Sequence, residues 1–442
     1  MPNKVSLTAS LSQLIVSSQP DPAVQDKARQ GLQDFFAVSW PVLTRQVPDS
    51  GLPVLKAVYQ ERSPSALALL LGYAGHALDY DDFHADFRGH PGVVILPALL
   101  AWVGETPELS LSHFFDAYAI GVEVAGRLGL AITQKHYTLG YHNTASLGAI
   151  AATAALARFT GATAEQTAIA LGITATQASG LRAQFGSAVK PLHAGLAAES
   201  AVRATQLALA GFDGKAEGVL EAFLQIGSGS EALPEKLLQA WGQPWRIISP
   251  GLEFKPFATC AGTHSAAEAS REIRRRWQEA GRSVTDLLQS IERITVAFPP
   301  GGDIAASVRV PTNGIEARFS LEYAIAGMLI YNDLRMVDFA EGGVNAEIMS
   351  LAEKVVRIPD DSAPPDALNP ALRFHEVTLY LNNGETLRQR RTRQQSLATP
   401  VNVLAKLEAA RTPDHISLFA RVARLENTDD LRQLILALNA AL

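Results

Sequence analysis

A single cysteine, Cys260, stands in a chain of 442 residues. That excludes an internal disulfide framework and suits a reducing compartment. Charge is scarce as well: Asp, Glu, Lys and Arg make up 19% of the residues, against 47% hydrophobic. This balance suits a well-buried globule and excludes a disordered polyelectrolyte. The net charge of −6 argues against the basic face that a nucleic-acid partner normally requires. No apolar run reaches the length of a membrane span, since SALALLLGYAGHAL is interrupted by Gly72, Gly75 and His76. The N-terminal stretch has one early lysine and no continuous apolar segment, so no signal peptide and a cytoplasmic location are expected. Also missing are the GxGxxG and Walker nucleotide loops, the HExxH and CxxC zinc signatures and the GxSxG nucleophile elbow. A nucleotide cofactor is therefore unsupported, and no metal is expected.

The chain is too long for one compact core, so two domains are the starting expectation. Residues from about 5 to 250 read as helical almost throughout, rich in Ala and Leu. Thr163–Gln166 (TAEQ) fits a capping box, and a helix over 194–210 should end at Gly211. After about Phe254 the texture changes. Ile294, Val296 and Phe298 alternate as in a half-buried strand, as do Val377, Leu379 and Leu381 before a turn at Asn383-Gly384. Residues 319–330 (FSLEYAIAGMLI) and 338–356 between these strands read as helical. Helical texture resumes near Thr399. The expected fold is mainly α: a large all-helical domain built from both chain ends (1–253 and 395–442) and a smaller α+β lid domain (254–394). The basic cluster Arg388, Arg390, Arg391 and Arg393 reads as a solvated strand face.

Polar chemistry is confined to four islands. The first, AGHALDYDDFHADFRGHPGVV, packs Asp79, Asp81, Asp82, His84, Asp86, Arg88 and His90 into twelve positions. The second holds Lys135, His136 and His142, the third Arg182, Lys190 and His193, and the fourth Lys255, Cys260 and His264. Plain structural roles exist for some of these: Asp81 and Asp82 suit helix capping, and isolated histidines such as His113 and His375 suit hydrogen-bonded core positions. The Asp/His spacing of the first island has no independent force as a metal motif, and a lone buried thiol is usually inert. What remains is cofactor-free acid–base chemistry on an anionic small molecule. Lysines and histidines would hold carboxylates while a histidine or aspartate takes a proton from the adjacent carbon. The enolate-like charge then needs several cations nearby, for which Lys190, Lys255 and Arg88 are candidates.

At these islands the sequence resembles the MmgE/PrpD family, which includes 2-methylcitrate dehydratase, cis-aconitate decarboxylase and iminodisuccinate epimerase. The matching pieces are HALDYDD…GHPGVVILPALLA, GYHNTASLGAIAA, ASGLRAQFGSAVKPLHAGLAAESAV and FKPFATCAGTH, followed by RFSLEYAIA and TPVNVLAKLE. The resemblance implies a helical domain and a lid with the active site between them, a homodimer, and neither metal nor organic cofactor. It carries active-site roles onto Asp79, His90, His142, Lys190 and Lys255. One position departs. Where the dehydratase and decarboxylase members place a threonine after the double Asp, this chain has Phe83, and the spacing from Asp79 to His90 is one residue longer than in the decarboxylase pattern. A phenyl ring donates no hydrogen bond, so a different substrate is expected, with His84, Arg88 and Arg182 assigned to substrate binding. The expected reaction is epimerisation of a dicarboxylate of the iminodisuccinate type, with His84 and His90 as bases on opposing faces. Dehydration, decarboxylation and a non-catalytic dimeric binding protein are the alternatives. In the expected mechanism Lys190 and Lys255 hold substrate carboxylates, His142 or His90 is the base, and Asp79 orients an imidazole.

Overall fold

A computed structural model describes residues 6–103, 109–366, 368 and 372–442. The chain opens with α1 (Leu7–Ser17), α2 (Val24–Leu43), α3 (Gly51–Val58) and α4 (Pro64–His76). A two-residue strand β1 (Phe83–His84) precedes α5 (Gly92–Trp102), α6 (Leu111–Thr138), α7 (Asn143–Thr160), α8 (Ala164–Ala175), α9 (Val189–Leu209) and α10 (Val219–Gly227). Local signals set these boundaries. Ser63 Oγ accepts from Ala66 N–H at the start of α4, with Pro64 in the first turn. The Thr163/Gln166 capping box forms at α8, and Gly211 takes a positive φ of 83° just past α9. Residues 228–251, expected to be helical, are instead mostly turns and short irregular helical segments.

Helices α4 and α9 cross at close range. A Cβ on Gly72 of α4 would lie 2.8 Å from Gly195 Cα, and one on Gly195 would lie 2.4 Å from the Leu69 carbonyl oxygen. Paired glycines let the two helices touch backbone to backbone. The C-terminal turn of α4 and the first turn of α9 are thereby brought within side-chain reach.

Beyond β2 (Leu252–Glu253), which pairs antiparallel with β1, come α11 (Ala261–Glu279), α12 (Val284–Ser290) and β3 (Ile291–Phe298). After them run α13 (Gly314–Ala317), α14 (Leu321–Tyr331), α15 (Ala346–Ala352), β4 (Val355–Pro359), β5 (Phe374–Leu381) and β6 (Thr386–Thr392). The sheet order is β4-β3-β5-β6, with β3–β4 parallel and the other pairs antiparallel. The β5–β6 hairpin turns through Gly384 at φ 83°, as its Asn-Gly pair predicts. The helix expected over 338–356 is shorter, and its end is strand β4. Residues Val356 and Ile358 of β4 face solvent, so this edge strand lacks the buried run that marks its neighbours.

The chain closes with α16 (Arg393–Leu397), α17 (Val403–Ala409), α18 (Ile416–Arg424) and α19 (Thr428–Ala441). Leu407, Phe419, Val422, Leu431 and Leu434 join the hydrophobic core of α1–α10. A second core gathers Phe257, Trp277, Ile294, Val296, Tyr323 and Leu379. The fold is mainly α with a smaller α+β region. Arg388 and Arg390 pair with Glu376, Arg391 with Glu268 and Arg393 with Glu253, so the basic strand is neutralised by its neighbours. Among the described residues, no helix is long and apolar enough to cross a membrane.

Candidate active site

The site grows from the turn that follows α4. Asp79 adopts a left-handed φ of 50°, a conformation Asp tolerates better than most residues. Three buried cations from distant segments grip carbonyls of this turn. Arg318 donates to Ala77 O, Lys255 to Asp79 O at 2.7 Å and Lys406 of α17 to Tyr80 O at 2.6 Å. Lys406 is also paired with Asp34 of α2 at 2.6 Å. The second core, the connector between the cores and the chain's C-terminal helices therefore all hold one four-residue stretch.

The Asp79 carboxylate is the hub. Its Oδ1 lies 2.8 Å from Lys190 Nζ and 3.0 Å from Lys255 Nζ. All three residues are buried. Burial alone would raise the Asp79 carboxyl, but Lys190 and Lys255 outweigh it and hold the group below the usual carboxylate range. Burial would likewise lower Lys255, yet Asp79 and Asp81 raise it above its ordinary value. Both remain charged at neutral pH.

His76, the last residue of α4, extends the network. Its Nε2 lies 2.9 Å from Lys190 Nζ and its Nδ1 lies 2.9 Å from Asp81 Oδ2. An ammonium only donates, so Nε2 accepts and the ring proton sits on Nδ1. Burial, aided by the Lys190 charge and opposed by Asp81, pushes His76 down to about 3. The ring is neutral.

Asp81 is shared, because its Oδ2 also lies 3.1 Å from His90 Nδ1. That nitrogen contacts Asp82 O at 2.6 Å as well. Both partners are acceptors, so in the neutral ring the proton sits on Nδ1 and Nε2 is the nitrogen that can accept one. This corrects the expected division of labour: Asp81 orients the imidazole, while Asp79, 3.9 Å from His90 Nε2, holds the two lysines. Asp82 does cap, accepting from Gly92 N–H at the start of α5 at 3.0 Å. Asp81 does not.

His142 stands just before α7. Its ring stacks on His76 with centroids 5.8 Å apart, and its Nδ1 meets His193 Nδ1 at 3.1 Å. Burial, with the Lys190 charge, pushes His142 well below its ordinary value and His193 down to about 4. One neutral ring donates to the other. Phe83 stands edge-on to His90 at 5.7 Å, and Phe185 and Phe319 flank Lys190 Nζ at 5.5 and 5.6 Å. A small cleft beside the cluster is lined by His76, Asp79, Ser187, Lys190, Arg318 and Phe319, among others.

Asp79, His90, His142, Lys190 and Lys255 thus converge, while the three residues assigned to substrate binding do not join them. His84 is fully buried, its Nε2 bonded to Arg246 O at 2.9 Å and its Nδ1 accepting from Phe87 N–H at 3.3 Å. Neither nitrogen is left for a ligand. Arg88 donates to Gly129 O of α6 at 2.9 Å, and Arg182 stacks over Tyr137 at 4.2 Å. Cys260 is buried and its thiol is pushed up by that burial, while His264 contacts Thr259 O at 3.2 Å. Sequence reasoning missed His76 and Arg318. The available signals were the HALD spacing, which puts His76 three residues before Asp79, and the arginine that opens RFSLEYAIA.

His76, Asp79, Asp81 and His90 also bring potential metal-ligand atoms within 4.8 Å of one another, a constellation that the sequence spacing did not reveal. Lys190 Nζ already lies against both His76 Nε2 and Asp79 Oδ1, so a tethered ammonium meets the atoms a divalent ion would need.

Burial of neutral histidines makes stability sensitive to acid. His375, pushed down to about 3 by burial, contacts Ser265 Oγ through Nδ1 at 2.7 Å inside the second core. Unfolded, it titrates near 6.5. Between these values the unfolded chain binds the extra proton, so the His375 contribution to stability is lost as pH falls through that window. In thermal melts from pH 7 to 4, His375→Asn, which can keep the Ser265 contact, should show a shallower decline of Tm than the parent. Equal slopes would contradict the assignment.

Residues 14–228 match the MmgE/PrpD N-terminal domain and residues 257–400 the MmgE/PrpD C-terminal domain. Cis-aconitate decarboxylase of Mus musculus is 28% identical over 341 residues, covering 74% of this chain and 67% of that protein. The Homo sapiens protein of the same name is 28% identical over 338 residues with the same coverage. That of Aspergillus terreus (strain NIH 2624 / FGSC A1156) is 28% identical over 351 residues, covering 74% and 70%.

Proposed function

The chain belongs to the MmgE/PrpD family, and from that premise we propose a cofactor-independent enzyme that moves a proton at a carbon next to a carboxylate of a small di- or tricarboxylate. The observation that carries this reading is a donor count. Each ammonium has three N–H donors. Two from Lys190 go to Asp79 and His76, and two from Lys255 go to Asp79 Oδ1 and its main-chain oxygen. One N–H on each remains for a ligand carboxylate, in a buried setting where it counts for more than in water.

In this mechanism the two lysines hold the carboxylate and stabilise the enolate-like charge that follows proton loss. His90 Nε2 is the base, oriented by Asp81 through Nδ1 as the acid of a triad orients its histidine. His142 carries the second proton. Arg318, lining the same cleft, replaces Arg88 as the third cation.

Two further histidines packed against His76, with ring centroids 4.8 and 5.8 Å away, favour epimerisation of an iminodisuccinate-type substrate, now with His142 rather than His84 as the partner of His90. Phe83 beside His90 supports the same reading, because a phenyl ring at that position cannot donate to a leaving group. Similarity to proteins named cis-aconitate decarboxylase favours the second reading, a lyase. Incubation with candidate di- and tricarboxylates followed by NMR separates them: inversion at carbon supports the epimerase, and release of CO2 or water the lyase. No conversion of any candidate would leave the binding-protein alternative. Turnover is expected to survive EDTA; inhibition reversed by added metal would overturn the cofactor-free mechanism. A homodimer and a cytoplasmic location are proposed on the resemblance and on the single cysteine, and the mass in solution tests the former.

A further inference from the structure

We infer that His76 is a positioning residue that fixes the Lys190 ammonium for its ligand, an inference that rests on Lys190 as the carboxylate-holding cation. A lysine head rides on a flexible four-carbon stem, so its aim depends on what its donors find. Here Nζ is fixed at two points, Asp79 Oδ1 at 2.8 Å and His76 Nε2 at 2.9 Å. Asp79 alone would leave the ammonium free to pivot about a single oxygen. The second point gives the remaining N–H a direction.

His76 is itself held on every side. Both Asp81 oxygens lie within 3.0 Å of its Nδ1, and its ring lies 4.8 Å from that of His90 and 5.8 Å from that of His142. It is buried at the end of α4, where the glycine crossing sets the distance between α4 and α9. Because Asp81 also holds His90, one carboxylate keeps the proposed base and the support of the proposed cation in register.

Asn and Gln separate this role from simple space filling. A Gln amide reaches the Nε2 position and retains an acceptor for Lys190, whereas an Asn amide reaches only the Nδ1 position and retains the Asp81 contact. His76→Gln is expected to stay within a few-fold of the parent in kcat. His76→Asn should lose roughly 10- to 100-fold, the scale of one hydrogen bond to a charged group. In protein labelled with 15N-lysine, the Lys190 Nζ signal should move in the Asn variant and stay in place in the Gln variant. Equal impairment of both variants with an unmoved Lys190 signal, or no impairment of either, overturns the inference.

A third measurement needs neither variant nor activity. The 15N shift of His76 Nε2 in the parent protein should be that of an unprotonated, accepting nitrogen. A protonated Nε2 overturns the positioning role even if the enzyme turns over. An accepting Nε2 in a protein that converts no carboxylate would sink the functional reading instead.

Discussion

His90→Gln is expected to lower kcat by about 10²- to 10⁴-fold with KM within a few-fold of the parent, the usual worth of a general base. Gln fills similar space and places an amide at the Nε2 position, but it offers no nitrogen able to take a proton. In the parent both Nδ1 partners are acceptors, at 3.1 and 2.6 Å, which commits the ring proton to that side and frees Nε2. A substitution that removes only the base should leave carboxylate binding to Lys190 and Lys255 intact. A rise in KM with unchanged kcat would assign His90 to binding and remove it as the base.

Asp79→Ala has the second large effect, and it reaches stability as well as turnover. The Asp79 carboxylate is the common partner of two buried lysines whose Nζ atoms lie 2.8 and 3.0 Å from one oxygen. Its removal leaves like charges facing each other in a buried site without their shared counter-ion. Breaking a buried ion pair from one side typically costs about 3–5 kcal/mol, and urea unfolding of the variant should show a loss of that order. Activity should fall too, because both ammonium groups lose the anchor that aims them. A stability change below about 1 kcal/mol, the range of exposed pairs, would mean the lysines do not depend on Asp79.

What could be read along the chain was local. The Asn-Gly hairpin, the Thr163/Gln166 box and the stop at Gly211 each follow from a few adjacent residues whose backbone preferences act within one turn. The five residues Asp79, His90, His142, Lys190 and Lys255 were legible because ionisable groups in an alanine-rich background stand out, and because they coincide with the motifs of a family. Their division of labour was not. Asp79 and Asp81 differ only in which neighbours the turn gives them, and the neighbours of Asp79 are 111 residues away for Lys190 and 176 for Lys255. His84 looked like a ligand because a histidine inside a charged run reads the same whether its nitrogens face a pocket or the main chain of Arg246. Lys406 falls in the family-like TPVNVLAKLE, but nothing there showed its role: an amphipathic helix lysine near the C-terminus is ordinarily solvated, and only the folded chain brings it to Tyr80. Strand β4 escaped for a related reason: Val356 and Ile358 are exposed while Arg357 between them is buried, so its apolar residues do not mark its covered face.

The central claim is that this cluster moves a proton on carbon beside a carboxylate without a metal. Chelator-treated protein incubated in D2O with candidate di- and tricarboxylates tests it most directly, with carbon-bound hydrogen followed by NMR. Deuterium should enter the position next to a carboxylate in the parent protein and should do so far more slowly in His90→Gln. Exchange that appears only after a divalent metal is added, or that proceeds equally well without His90, would contradict the account.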